Sequence, residues 1–301
     1  MSNKYISVDI GGTNVKFAEL DRAGHIITKD KVSTPTNKED FLESINDIVS
    51  QFEGKDIRGI SFCAPGKIEH TKIRFGGSLP FLDGVDFAQR YKKLGIQVAV
   101  INDGKASVLA ENWLGSLKDL NNCAAITLGT GVGGGIIVNG RLLNGVHFQA
   151  GEISFLQLNI DKPGYDGLAA SYASAVRMII EVNTAIGNAD KKDGLAAFRA
   201  IKRGDPKAVK IFNEFCRRIA YIILDIQTVV DLDRIAIGGG ISAQSIVAKE
   251  INNAYDQILD QLPLVKTTLT RPKIVDAKFK NSANLYGALY NLLLHMNNEK
   301  L

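Results

Sequence analysis

Three β-rich runs of this chain each end in glycines, and two of them turn straight back into a second strand. Residues 5–10 lead through Gly11-Gly12-Thr13 into 15–20, and residues 124–128 lead through the glycine-rich stretch 129–135 into 136–138. Strand, glycine turn, strand is a β-hairpin signal. The third run, 234–237, enters Gly238-Gly239-Gly240, after which a helix is expected to open near Ser242. The same hairpin at the head of two α/β segments marks a weak internal duplication, although no sequence identity joins the halves. At roughly 150 residues per domain, 301 residues suit about two domains.

The remaining periodicity fits that frame. A third strand over 26–32 follows the turn at 21–24. Phe41, Leu42, Ile45, Ile48, Val49 and Phe52 have helical spacing. Strands are predicted over 57–64, ending at Pro65-Gly66, and over 98–101, ending at Asn102-Asp103. A helix over 104–114 is stopped by Gly115. The second half adds helices over 171–186, 206–230 and 285–296. Asp205 and Pro206 supply the N-cap and first position of the long one. No Pro- or Ser-rich linker divides the chain, so the domains are expected to abut and exchange elements.

Composition excludes several classes. Apolar residues make up 45% and charged residues 23%, ordinary globular usage. Lys plus Arg (36) against Asp plus Glu (32) leaves +4, too little for a nucleic-acid or membrane-surface protein. Cys63, Cys123 and Cys216 have neither metal-like nor redox-like spacing, which suits buried thiols in a reducing compartment. No window approaches ~18 apolar residues, and no signal-peptide pattern is read at the start. A soluble cytoplasmic protein without membrane or nucleic-acid partners is expected.

Four places carry candidate chemistry. In Asp9-Ile10-Gly11-Gly12-Thr13-Asn14-Val15-Lys16, two glycines let backbone N–H groups approach an anion, and Thr13 adds a hydroxyl. Asp9 stands where a carboxylate can hold Mg²⁺ through water. A plain hairpin fits these residues equally well. The stretch Leu128-Gly129-Thr130-Gly131-Val132-Gly133-Gly134-Gly135 is richer in glycine than a turn needs, which favours phosphate contact. It also matches G-x-G-x-x-G through Gly129, Gly131 and Gly134, with Glu152 about twenty residues on. A nicotinamide-binding oxidoreductase would need a helix after those glycines, whereas a strand follows. Gly238-Gly239-Gly240 runs from strand to helix, a suitable floor for adenosine or simply a close packing corner. Asp103, at the end of a predicted strand, is either an N-cap or a general base for a hydroxyl nucleophile.

Taken in order, Asp9–Lys16, Asn102-Asp103, the 128–135 stretch, Asn139-Gly140-Arg141-Leu142, Ala150-Gly151-Glu152, Gly238-Gly239-Gly240 and Asn284-Leu285-Tyr286-Gly287-Ala288 resemble the ROK family (repressors, open reading frames, sugar kinases). No single motif is diagnostic; the ordered set with its spacing is quite specific. The resemblance implies two actin-like, ribonuclease-H-like α/β domains around an inter-domain cleft, spanning 1–114 and 115–284, with the helix 285–301 returning to the first. It implies ATP-dependent phosphorylation of a sugar hydroxyl, usually at C6 of a hexose, with Asp103 as base. Asn102 and Glu152 would bind sugar, together with Pro65, Gly66, Gly77 and Ser78. Asp9, Gly11, Gly12, Thr13, Lys16, Gly129, Thr130 and Gly131 would serve the ATP phosphates and Mg²⁺, and Gly239 and Gly240 the adenosine. A homodimer is implied by the same analogy.

Two departures bear on substrate. Phe155 stands where many members carry a histidine that touches sugar and a structural zinc, and no cysteine lies between Cys123 and Cys216, so no such zinc site is expected. Ala170 stands where many carry a second sugar-binding glutamate. The chain therefore resembles the zinc-lacking branch, which includes β-glucoside kinases. Loss of polar groups near C1 and C2 suits a sugar substituted at C1, such as a β-glucoside. Glucose in a looser pocket, an N-acetylhexosamine such as N-acetylmannosamine, and a sensor that binds sugar without phosphorylating it remain alternatives. A DNA-binding repressor is disfavoured, because the first strand starts at Tyr5.

Overall fold

The computed structural model describes residues 3–52 and 54–297. The chain divides into two units. One comprises Met1–Leu114, Arg141–Gly151 and Ser282–Leu301; the other comprises Gly115–Gly140 and Glu152–Asn281.

The first unit begins with β1 (Lys4–Ile10), β2 (Asn14–Asp21), β3 (Ile26–Ser33), α1 (Lys38–Ser50) and β4 (Ile57–Ala64). A small hairpin, β5 (Lys67–Glu69) and β6 (Lys72–Arg74), precedes α2 (Phe87–Tyr91), β7 (Gln97–Asn102) and α3 (Asp103–Leu114). The sheet order is β3-β2-β1-β4-β7, antiparallel across the hairpins and parallel from β1 to β7. Alternation along β1 separates two cores. Ile6, Val8 and Ile10 pack with Phe41, Ile45 and Phe62, whereas Tyr5 packs with Leu285, Leu289 and Leu292. The latter three belong to the last helix, Ala283–Met296. Small residues let that helix close on the sheet: Ser7 Oγ donates to Leu285 O at 2.7 Å, and a methyl on Gly59 would lie 3.0 Å from Leu292 Cδ2. A methyl on Gly287 would collide with the Ala106 carbonyl of α3. Residues 298–301 of the expected terminal helix lie outside the described residues.

In the second unit β8 (Cys123–Leu128) pairs antiparallel with β9 (Val132–Val138). The turn Asn139-Gly140 then carries the chain into β10 (Arg141–Leu142). Four helices follow: α4 (Ala169–Tyr172), α5 (Ala175–Ala185), α6 (Gly194–Lys202) and α7 (Pro206–Val230). After β11 (Arg234–Gly239) come α8 (Ile246–Gln261), α9 (Pro263–Thr268), β12 (Lys273–Asp276) and, back in the first unit, α10 (Ala283–Met296). Strand β11 runs parallel between β8 and β12. Helix α7 buries Phe212, Phe215, Ile219, Ile222, Ile223 and Ile226 along one face. Among the described residues no helix is long and apolar enough to cross a membrane.

Three expectations need correction. The glycine turn expected over 129–135 is confined to residues 129–131, and Gly133-Gly134-Gly135 lie inside β9. Packing explains Gly134, since a methyl there would meet Ile153 Cδ1 at 2.6 Å. The helix expected over 171–186 is broken between α4 and α5, because Ser174 Oγ accepts the Arg177 N–H at 3.1 Å and caps a new helix. Near Ser242 only a short 3₁₀ turn forms (Gly240–Ala243), and α8 opens at Ile246.

Candidate active site

In the first unit the carboxyl ends of the parallel strands collect polar groups. Residues 5, 7 and 9 of β1 share the face that looks at α10, so Asp9 meets the first turn of that helix. Asp9 is 5% exposed. Its Oδ1 accepts from Asn284 Nδ2 at 3.0 Å and its Oδ2 from Lys16 Nζ at 3.3 Å. Lys16 is its partner across the hairpin, and Cys63 its partner on β4. Burial pushes the Cys63 thiol well above its ordinary range; the Asp9 and Asp103 carboxylates add to the rise and Lys16 opposes it. The hairpin turn is pinned from outside: Thr34 Oγ1 donates to Gly11 O at 2.7 Å and Thr34 N to Thr13 O at 3.0 Å. Gly12 and Thr13 stay exposed.

The two readings of Asp103 separate here. Asn102 closes the helix: its Oδ1 accepts the N–H groups of Gly104 at 2.9 Å and Lys105 at 3.3 Å, while its Nδ2 donates to Gly66 O at 2.9 Å. Asp103 is the first residue of α3 and is exposed, its Oδ1 taking the Gly104 N–H at 2.8 Å. The loops at Pro65-Gly66 and Gly76-Gly77-Ser78 pack on one another. A methyl on Gly66 (φ +93°) would overlap the Phe75 carbonyl, and one on Gly77 (φ +59°) would lie 3.3 Å from Pro65 Cβ. A methyl on Gly12 would lie 3.7 Å from Ser78 Oγ. These contacts bring Asp9, Gly11, Gly12, Thr13 and Lys16 together with Pro65, Gly66, Gly77, Ser78, Asn102 and Asp103 in one unit.

The second unit has its own constellation. The Gly129 N–H bonds Gly131 O at 3.0 Å, and Gly129 O accepts from Ala175 N and Val176 N at 3.1 and 3.2 Å, tying the turn to the start of α5. Gly239, at φ +91°, lies so close to Leu128 that any β-carbon would overlap its backbone. Gly129 and Gly240 have open space where a side chain would be. Both line a cavity of about 500 Å³ whose walls include Val176, Ile179, Asp193 and Phe198. Thr130 is exposed on the turn. Glu152 is exposed, its Oε1 accepting from Ser154 Oγ at 2.6 Å. Phe155 is 56% exposed, whereas Ala170 is buried with its carbonyl 3.3 Å from a methyl placed on Gly131.

The three cysteines are buried, and none forms a disulfide among the described residues. Among the described residues no three His, Cys, Asp or Glu side chains cluster to hold a metal ion. Sequence reasoning assigned no role to Asn284 or Lys105. Asn284 stood only inside the 284–288 motif of the resemblance, and Lys105 only as a polar residue in the first turn of α3.

Two α/β units, each headed by a glycine-turned hairpin, one gathering carboxylates and the other enclosing a cavity, are the architecture of the actin-like sugar kinases. The chain belongs to the ROK family, whose model matches residues 5–294. It is 28% identical over 303 residues to a β-glucoside kinase from Listeria innocua, covering 98% of this chain and 99% of that one. A ROK family protein from Streptococcus pneumoniae, solved in complex with sucrose, superposes with a TM-score of 0.86 at 28% identity, covering 98% of this chain and 99% of that one. A ROK family glucokinase from Streptomyces griseus, solved with glucose and AMPPNP, does so at 0.83 and 26%, covering 95% of this chain and 98% of that one.

Proposed function

We propose that this chain transfers the γ-phosphoryl group of ATP to the C6 hydroxyl of a glucose unit, with Asp103 as general base. Its class, a hexokinase-type ATP:sugar phosphotransferase, follows from family membership and from kinase relatives that match nearly end to end. The observation that carries the choice of base is the division of labour at the start of α3. Asn102 caps the helix, and Asp103 remains exposed beside it with its carboxylate oriented by the Gly104 N–H. In the reaction the sugar hydroxyl oxygen bonds to the γ-phosphorus as the bond to the β-phosphate oxygen breaks, and the hydroxyl proton passes to Asp103. The cavity beside Gly239 and Gly240 takes the adenosine. The turns at Gly11-Gly12-Thr13 and Gly129-Thr130-Gly131 offer N–H and hydroxyl donors to the phosphates.

Mg²⁺ fits this reading. The ion keeps several waters and uses one or two carboxylates plus phosphate oxygens. Asp9, with Asn284 on one oxygen and Lys16 on the other, retains lone pairs for a water of such an ion. When bound, Mg²⁺ neutralises phosphate charge. The reading extends to a cytoplasmic setting and a homodimer, the latter open to light scattering.

For the acceptor, a glucose unit substituted at C1 is favoured. Of the two residues expected to replace polar sugar contacts, only Phe155 presents its side chain; Ala170 is buried behind Gly131. An exposed ring in place of a polar partner tolerates a substituent better than it rewards a free hydroxyl. The sucrose bound by the streptococcal protein is itself a C1-substituted glucoside. The test is ADP release with Mg·ATP and glucose, cellobiose, an aryl β-glucoside, N-acetylmannosamine, N-acetylglucosamine or fructose. β-Glucosides ahead of glucose are expected. Glucose ahead would discard the C1 argument, and no sugar-dependent ADP release would discard the kinase.

A further inference from the structure

Lys105 is a buried ammonium for which the mechanism above has no use. It lies two residues after Asp103 in the first turn of α3. It is 8% exposed. Its Nζ donates to Asn144 Oδ1 at 2.9 Å and to Phe148 O at 3.0 Å. Both acceptors sit on the 141–151 segment, which groups with the first unit.

That segment is a compact loop. Ala150 N donates to Asn144 O at 3.1 Å and Phe148 N to Gly145 O at 3.4 Å. Gly145, Phe148 and Gly151 have φ of +68°, +59° and +80°. For Phe148 this is a strained conformation, which persists only where the surroundings impose it. The constraints here are the Lys105 bond to the Phe148 carbonyl and the His70 ring, edge-on to the Phe148 ring at 5.0 Å. The loop ends at Gly151, and the next residue is Glu152.

We infer that Lys105 is a positioning residue for the sugar acceptor: it fixes on α3 the 141–151 segment, whose next residue in the chain is Glu152. The inference rests on the reading of Glu152 as a sugar ligand. A buried ammonium suits this task because its bonds to neutral oxygens are stronger than neutral ones and costly to leave unmade. Such a tether acts on sugar binding and not on the nucleotide, because none of Lys105, Asn144, Phe148 and Glu152 lines the cavity assigned to it.

The experiment compares Lys105→Met, Lys105→Arg and Asn144→Ala by steady-state kinetics and by calorimetric titration with the best sugar of the panel above, without ATP. Lys105→Met is expected to raise sugar KM and Kd about tenfold or more, the scale of a lost charged hydrogen bond. The KM for ATP should stay within about twofold, and Lys105→Arg should recover part of the loss. Asn144, half-buried on the loop, supplies the variant that folds if the methionine does not, and it should move sugar affinity in the same direction. Combined, the two changes should cost less than the product of their separate effects. Equal losses for sugar and ATP, or unchanged sugar affinity in Lys105→Met and Asn144→Ala, would overturn the inference. Glu152→Gln separates the two readings. If it leaves sugar affinity intact, the Glu152 reading fails and takes this inference with it; if it weakens sugar while the other variants do not, only the tether fails.

Discussion

Substituting Gly239 by alanine separates backbone constraint from simple proximity to a ligand. The residue has φ +91° and ψ −177°, a region open essentially to glycine alone. Its missing β-carbon points at the backbone of Leu128, overlapping N and O and reaching the carbonyl carbon at 2.8 Å. Leu128 cannot retreat easily, because Gly239 and Leu128 are register partners in the β8–β11 ladder. The dihedral cost is about 1–3 kcal/mol, and overpacking against fixed atoms adds about as much. A less flexible unfolded chain returns about 0.4–1 kcal/mol. A net loss of about 2–5 kcal/mol corresponds to a fall of roughly 10 °C in the melting midpoint of a body the size of the second unit. Gly240→Ala is the control. That position lacks a positive φ and has nothing within 4 Å, so melting should stay within the ~0.5 kcal/mol of an ordinary surface change. Because Gly240 lines the cavity, its methyl should nevertheless weaken ADP binding. Thermal melting followed by circular dichroism, with ADP titration by calorimetry, reads both effects. If Gly239→Ala melts with the wild type, the steric account of this corner is wrong.

Asp103→Asn should lower kcat by at least ~10²-fold while leaving melting and ADP affinity unchanged, since Asn102 caps α3; near-normal turnover would refute the assignment. Asn284→Leu removes the donor to Asp9 Oδ1. It should weaken ADP binding roughly tenfold in Mg²⁺ but little in EDTA, and equal losses in both would show a merely structural role. Alkaline stability follows from the buried thiols of Cys63 and Cys216, both pushed well above the ordinary value of 9.0, chiefly by burial. The unfolded chain ionises near that value while the folded one keeps its protons, so stability is full below it and falls as pH rises through it. Melting midpoints should be flat from about pH 7 to 8 and decline above about pH 9. The test is best read below about pH 10, because Tyr255, pushed up to about 12 by burial, adds the same trend higher up. A Cys63→Ala, Cys216→Ala variant that keeps the full decline would refute the attribution.

The hairpins were legible because alternating apolar residues and a glycine turn are local signals, and each such strand was expected within a residue or two of where it lies except β9, which starts at Val132 and not at residue 136. What stayed hidden depends on contacts distant in the chain. Gly134 looks like part of a phosphate grip until Ile153 is seen to fill the space where its side chain would be. Gly287 looks incidental until α10 is seen lying against Ala106. Asn284 is 275 residues from the carboxylate it orients, and no spacing rule reaches that far. The pair Asn102-Asp103 lies between these cases. Either residue can cap a helix, so the sequence permits both assignments, and the choice turns on which side chain reaches back to the N–H groups of the first turn. Asn102 does so, while also holding Gly66, and the adjacent carboxylate is left exposed beside it, as the proposed base requires.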